Sequence, residues 1–316
     1  MRYYELTLTT KGSTTPFRQL SSHPNGIRDP GALNIEFDMP LLSFDAFVNA
    51  LSLTVEGIPL QDLNQAQQLA GMTLSLKAGM MAGLPLANPA QAGLIVVGEV
   101  FQSFGNWEGT EQTLELVLLP STFTIDNPGN IVLDWQEGEV LATALTRTLS
   151  IAFPGMPISM NISSDILNGY HNPSHYATLE QLGKYIGDFT EKNFKSRVRI
   201  TIQAGKIVVF DDTFQPAVVQ LNFNDFIGQP TWIDVNTIQI KTVMRADLMI
   251  GSIVKMPEGL QNAPGIIGTT GASLPSSIKY QSTFKNTFQV KELRHIGNFR
   301  SSDAANWCTV FNCLAN

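Results

Sequence analysis

A chain of 316 residues with a net charge of −7 and only 15% charged residues has room for two or three domains at about 150 residues each. Its acidic balance repels phosphate backbones and excludes a protein built to grip nucleic acid. Two cysteines exclude a disulfide framework and predict free thiols in a chain folded in a cytosol.

The opening "MRYYELTLTT" has no apolar core of signal-peptide length. No uncharged apolar run reaches the ~20 residues a membrane helix needs. The charged share lies below the usual ~25%, which is the composition of a surface largely covered by partners, since interface cores are depleted in charge.

The first third alternates with period two. "YELTLT" sets Tyr4, Leu6 and Leu8 against Glu5, Thr7 and Thr9, and "LNIEFDM" sets Leu33, Ile35, Phe37 and Met39 against Asn34, Glu36 and Asp38. "LSLTVEG", "MTLSLKAG" and "TLELVLLP" follow the same rule, with "HPNG", "DPGA", "GLPLANPAQAG" and "FGNWEG" as turns. These are strands with one buried face. Short spacing without long helices predicts an antiparallel sandwich or barrel. "PLQDLNQAQQLAG" fits a short helix or an irregular connection.

The middle changes period. Val140, Leu141, Ala144, Leu145 and Thr148 recur at helical spacing until Pro154 and Gly155 end the run. A second helix follows in "ATLEQLGKYIGDFTEKN", with Thr178 and Gln181 as a capping box and Leu179, Leu182, Ile186 and Phe189 as its stripe. "VRITIQAGKIVVFDD" is a strand, a tight turn at Ala204-Gly205 and a strand. Together these predict a small α/β unit.

The last third returns to strands in "NTIQIKTVM", in "ADLMIGSIVKMPEGL" with a Gly break, and in "NTFQVKELRHIGNF". In the last of these the apolar set slips phase, from Phe288 and Val290 to Leu293 and His295, which predicts a β-bulge near Lys291–Glu292. "WCTVFN" is apolar on both faces and predicts a strand buried on both sides. The fold expected is mainly β with an α/β insertion: tube-like antiparallel β-barrels over residues 1–125 and 223–316 flank a small α/β domain over 126–222.

Chemical candidates are few. His295 and Cys308 could form a nucleophile–base pair, but Cys308 sits in an apolar strand, where a free Cys acts as a small hydrophobe. His171 and His175 in "HNPSH" have the spacing of a helical metal pair, but Pro173 between them predicts a loop. Gly265 to Gly271 are glycine-rich without the Lys-Ser/Thr of a phosphate loop. Asp211 and Asp212 are adjacent on a strand, so they face opposite ways and cap its end rather than act as an acid–base pair. Lys192, Lys195, Arg197 and Arg199, interleaved with Phe194 and Val198, could mark a nucleic-acid surface; in an acidic chain they predict a solvated or ion-paired face. No catalytic, cofactor-binding or metal position is assigned, and no cofactor is expected.

Three stretches carry a resemblance. "LNIEFDMPL" with "LSLTVEGIPLQDLNQAQQLAGMTLSLKAGM" and "QAGLIVVGEVFQSFGNWEGTEQTLELVLLP" is similar to the first barrel of the baseplate hub protein of contractile-tailed bacteriophages, a fold shared with the front part of type VI secretion spike proteins. "VLATALTRTLSIAFPGMPISMNIS" and "HYATLEQLGKYIGDFTEKNF" resemble its inserted α/β unit. "IQIKTVMRADLMIGSIVKMPEG" and "FQVKELRHIGNFRSSDAANWCTVFN" resemble its second barrel, with a His-x-Gly in the long strand and a late Trp.

The resemblance implies a structural protein of the virion tail baseplate, made and assembled in the bacterial host cytoplasm. It implies a homotrimer that joins the hexameric tail tube to the trimeric central spike, touches other baseplate wedge proteins and lines part of the injection channel, through which DNA passes without sequence-specific binding. It implies no catalytic residues, since hub hydrolases come as an extra domain or a separate chain and this sequence has no spare segment for one. The alternatives are a six-fold distal tail or tube-terminating protein, and a tail-associated hydrolase acting through His171, His175 or His295.

Overall fold

The computed structural model describes residues 1–43, 50–81, 88–120, 129–257 and 287–315. The Gly265–Gly271 stretch lies outside them. The chain divides into two compact units, one drawn from 1–43, 50–119 and 216–316 and the other built around 120–215.

The first unit carries a 13-stranded sheet whose principal path is antiparallel. Its N-terminal strands are β1 (Arg2–Thr9), β2 (Pro16–Ser21), β3 (Asn34–Ser43), β4 (Leu51–Glu56), β5 (Thr73–Met80), β6 (Gly93–Glu108) and β7 (Glu111–Leu119). The period-two pattern decides their faces. Tyr4, Leu6 and Leu8 of β1, Ile35, Phe37 and Met39 of β3, and Leu51, Leu53 and Val55 of β4 are all buried. The segment after β4 forms the short helix α1 (Leu60–Asn64) and a 3-10 turn.

The C-terminal strands are β13 (Val218–Gln220), β14 (Thr231–Trp232), β15 (Thr237–Val243), β16 (Ile253–Lys255), β17 (Thr287–Asn298) and β18 (Trp307–Ala315). The bulge expected near Lys291–Glu292 is present: β17 pairs Val290 with Cys313 and Glu292 with Asn312, so Lys291 is the extra residue. The shift restores burial to Leu293 and His295 after Phe288 and Val290. Among the described residues of "ADLMIGSIVKMPEGL", only Ile253–Lys255 form a strand, because Gly251 turns the chain with φ of +87°. Trp307, Cys308 and Thr309 of β18 are buried in succession, so this strand is covered on both faces.

One strand joins the two halves. β3 pairs β4 from Asn34↔Glu56 to Phe37↔Leu53, and pairs β17 from Asn298↔Glu36 to Glu292↔Ser43. The N- and C-terminal strands therefore share one hydrogen-bonded ladder.

The second unit is α/β. Strand β8 (Ile131–Trp135) pairs β10 (Asn172–Tyr176), and β11 (Arg199–Gln203), β12 (Lys206–Phe210) and β9 (Ile158–Asn161) form a three-stranded sheet. Helices α2 (Leu141–Ala152) and α3 (Leu179–Phe194) bury Leu141, Ala144, Leu145, Leu179, Leu182 and Ile186. The Trp135 and Phe189 rings meet edge to face at 5.6 Å. At the start of α3, Thr178 Oγ1 accepts the Gln181 N–H at 3.2 Å. The return arm of the box reaches one residue further back, where Gln181 Oε1 accepts the Ala177 N–H at 3.0 Å. The β11–β12 turn has positive φ at both Ala204 (48°) and Gly205 (73°), the backbone of a type I′ hairpin.

Candidate functional site

The strand register decides the His295–Cys308 question. His295 sits opposite Thr309, and Cys308 sits opposite Ile296. Successive residues of a strand face opposite ways, so the imidazole and the thiol lie on opposite faces of the sheet. His295 Nδ1 shares a 2.9 Å hydrogen bond with Thr309 Oγ1. Burial lowers the His295 pKa to about 3 and pushes the Cys308 thiol up to about 11. A neutral imidazole and a protonated thiol, each packed and separated by the sheet, make no nucleophile–base pair. Cys313 is a second free thiol, pushed up by burial.

The late Trp is a structural pin. Trp307 Nε1 donates to the Gly79 carbonyl at 2.9 Å, tying the last strand to β5. Its ring meets Phe37 and Phe299 edge to face at 5.7 and 5.9 Å, and the Arg2 guanidinium carbon lies 6.0 Å from its centroid. Arg2 also donates to the carbonyls of Asn298 (2.8 Å), Phe299 (3.2 Å) and Ser301, holding the β17–β18 loop. Replacing Trp307 with Phe keeps much of the ring but loses the side-chain bond to the Gly79 carbonyl, and is expected to cost about 0.5–1.5 kcal/mol. Trp307→Ala adds a cavity and is expected to cost about 3–5 kcal/mol. Urea midpoints of the two variants measure both, and an unmoved midpoint for the alanine variant would remove Trp307 from the core.

The His-x-Gly has the same kind of explanation. A Cβ on Gly297 would lie 2.2 Å from the Phe37 ring, which packs across that strand position. Gly297→Ala is therefore expected to destabilise by about 1–3 kcal/mol, the usual overpacking range. Phe37→Leu should relieve part of that penalty, so the double-mutant cycle should show a favourable coupling above about 0.5 kcal/mol. Additive costs would show that the ring gives way freely.

A buried polar chain lies behind these residues. Thr309 Oγ1 accepts the Arg245 N–H at 3.0 Å and donates to the Arg245 carbonyl at 3.2 Å. The Arg245 side chain, 1% exposed, reaches Asp247 through two bonds of 2.7 and 2.6 Å and Asp225 at 3.5 Å. Asp225, itself buried, accepts from Gln91 Nε2 at 3.0 Å and from the Asn222 N–H at 2.8 Å. Gln91 stands before β6, so the chain from His295 to Gln91 links the closing strands to the N-terminal half. Sequence reasoning missed this network; its signal was a lone arginine in the apolar run "TVMRADLMIG".

The other candidates are separate from it. Residues 172–176 form a strand rather than a loop, with Pro173 opposite Asp134. Four residues along a strand separate His171 and His175 by about 13 Å, too far to share an ion. His171 Nε2 binds Asp134 Oδ1 at 2.6 Å, and this bond holds the exposed carboxyl below its ordinary range. Asp211 accepts from the Ser163 N–H (2.8 Å) and the Thr213 hydroxyl (2.6 Å). Asp212 accepts from the Arg197 N–H (2.9 Å) and from Arg199 Nη1 (2.7 Å). Partial burial would raise the Asp212 pKa, but the bonds to Arg199 and Arg197 outweigh it and leave it lowered. The two carboxylates thus diverge and fasten the end of β12. The two arginines of the basic run are ion-paired within their own unit, Arg197 to Asp188 (3.1 Å) and Glu191 (2.5 Å), Arg199 to Asp212.

No family's sequence model and no curated protein matches the chain. Solved structures do. The prophage MuSo2 43 kDa tail protein of Shewanella oneidensis aligns with a TM-score of 0.54 at 9% identity, over 100% of this chain and 97% of that one. The tail protein of Neisseria meningitidis MC58 aligns with a TM-score of 0.51 at 10% identity, over 99% and 96%. The Escherichia coli c3393 protein, described as a type VI secretion component structurally similar to the T4 tail proteins gp27 and gp5, aligns with a TM-score of 0.51 at 10% identity, over 98% and 76%. The chain therefore has the fold that these tail proteins and this type VI secretion component share.

Proposed function

We propose that the chain is the structural hub of a contractile tail or a related injection machine: a homotrimeric adaptor between a hexameric tail tube and a trimeric central spike. Residues 1–125 and 223–316 then supply the two tube-type barrels and 126–222 the insertion, so that three copies present a six-fold-like ring to the tube. The observation that carries this reading is a likeness to tail proteins that runs along the whole chain rather than one part of it. The acidic balance, −7 overall, suits a channel through which DNA slides without sticking. The role is mechanical, with the titratable residues of the closing strands serving packing.

Light scattering after size-exclusion chromatography tests it across a range of concentrations. A particle of three times 34.6 kDa is expected. A hexamer would favour a distal tail or tube-terminating ring. For a monomer the deciding step is co-expression with the spike, where failure to co-purify counts against the hub.

A further inference from the structure

Between β1, β2 and the connection to β3 lies a half-open cavity of about 470 Å³. The connection is tied down along its length. The Ser22 N–H donates to the Tyr4 carbonyl and the Asp29 N–H to the Ser22 carbonyl, both at 3.0 Å. Further on, the Tyr4 hydroxyl donates to the Leu33 carbonyl at 2.7 Å. Asn25, on the cavity wall, holds a left-handed backbone with φ of +54°, and the next N–H, of Gly26, bonds the His23 carbonyl at 3.0 Å. The wall is therefore preformed, as ligand sites usually are.

One ring in this wall lacks a partner. His23 is 7% exposed, and its Nε2 is buried without a hydrogen bond among the described residues. A buried ring nitrogen left so is costly until something pairs it. Nδ1 lies 2.9 Å from Ser22 Oγ, which accepts the Tyr4 N–H at 2.9 Å and lies 3.2 Å from the Tyr4 carbonyl. Ser22 has one proton to give. If it goes to Nδ1, Nε2 is an N–H donor; if it goes to the carbonyl, Nδ1 carries the hydrogen and Nε2 accepts. Burial, the Met1 ammonium and Arg28 hold the ring below its ordinary pKa, so it is neutral at pH 7.

The rest of the wall narrows the ligand's chemistry. Asp29 Oδ1 accepts the Gly31 N–H at 2.8 Å, and the carboxylate forms no ion pair among the described residues. Glu5 is already paired with Lys77 at 2.8 Å. Gln19 and Asn25 bring exposed amides. No Lys or Arg lines the cavity among the described residues. An anion would meet Asp29 with no cation in the wall to hold it, and a cation would meet the field that Arg28 exerts at His23. A hydroxyl suits every group present: it donates to a carboxylate, accepts from an amide and does either for Nε2.

We propose that this cavity binds a neutral, hydroxyl-rich ligand, a saccharide, through His23 Nε2, Asp29 and the Gln19 and Asn25 amides. The site is independent of the hub reading and stands or falls without it.

The experiment uses the full chain with its histidine rings labelled with carbon-13. The chain has four histidines, so each ring gives its own NMR signal, and His23→Gln identifies that of His23 by its loss. The probes are glucose, N-acetylglucosamine and maltotriose, with sodium phosphate and methylammonium chloride as charged controls. At least one sugar should move the His23 signal to saturation with a Kd of about 0.1–10 mM, a free energy of roughly −4 kcal/mol at its middle. The signals of His171, His175 and His295 should stay in place. Gln19→Ala and Asp29→Asn should each weaken that sugar about fivefold or more, the loss of one hydrogen bond, with an unchanged circular dichroism spectrum. A trisaccharide held about tenfold tighter than glucose would mark a polymer as the source, and equal affinities a single sugar. A His23 signal that no sugar moves up to about 50 mM overturns the site. So does binding that both variants leave unchanged, and so does a His23 signal moved by phosphate or methylammonium in place of the sugars.

Discussion

Replacing Arg245 with methionine should destabilise the β unit by about 3–5 kcal/mol, the cost of stranding a buried charge. The guanidinium is 1% exposed and stands against Asp225 at 3.5 Å and Asp247 at 2.6 Å. The two carboxylates differ in what they lose. Asp247 is about a third exposed and water can take over its solvation, whereas Asp225 has only 4% of its side chain exposed. Without Arg245, Asp225 keeps the Gln91 amide and the Asn222 N–H, two neutral donors facing a full negative charge in a medium of low polarity. Removing that charge as well should recover much of the loss. In a double-mutant cycle, Arg245→Met/Asp225→Asn should be more stable than Arg245→Met alone, with a coupling of about 1–3 kcal/mol. Urea midpoints supply all four corners. If the double variant is no more stable than the single one, the ion pair is not where the energy lies, and the loss belongs to the packing of the guanidinium stem.

How far this site could be read in the sequence depends on the distance between its parts. Local patterns were legible. The phase slip between Val290 and Leu293 located the bulge of β17 at Lys291, because an extra residue on one strand must invert the alternation. Ala204-Gly205 announced its turn, and Thr178 with Gln181 announced the start of α3, because these residue types satisfy backbone geometry within a few positions. Partners were not legible. Nothing in "LNIEFDMPL" states that Asp38 will lie opposite Ile296, since alternation fixes which face is buried and leaves the neighbouring strand open. The same holds for Arg245, whose buried partner stands 20 residues earlier in the chain. Pro173 misled for a physical reason. Proline lacks the N–H that a central strand needs, but among the described residues β10 pairs with β8 alone, and on an edge that missing donor is tolerated. The resemblance reached the fold through three stretches along the chain, the last of which holds the His-x-Gly and the late Trp. The structure adds their cause: a ring over Gly297 and an indole bonded to Gly79.

The acid limb of stability should be governed in large part by His295. The ring is fully buried and held neutral, its pKa lowered from 6.5 to about 3 by burial. Once unfolded, the same imidazole takes up a proton near pH 6.5. Between those two values the unfolded chain binds more protons than the folded one, so stability rises with pH across the window. The contribution is fully present above about pH 6.5 and is gone once the pH has fallen through about 3. Each pH unit in the window is worth ~1.4 kcal/mol, so about 5 kcal/mol is at stake over its whole width. Protonation would also disturb a neighbour. Thr309 Oγ1 bonds the ring on one side and the Arg245 backbone on the other, so charging His295 pulls at the network that holds Asp225. His295→Asn isolates the effect, because an amide can still bond Thr309 and does not titrate. The variant should start less stable at pH 7, yet lose about 3 kcal/mol less than the parent between pH 6.5 and 4. Denaturant titrations at half-unit pH steps give both curves, and curves that run parallel through that window would mean the imidazole is already charged, or solvated, in the folded chain.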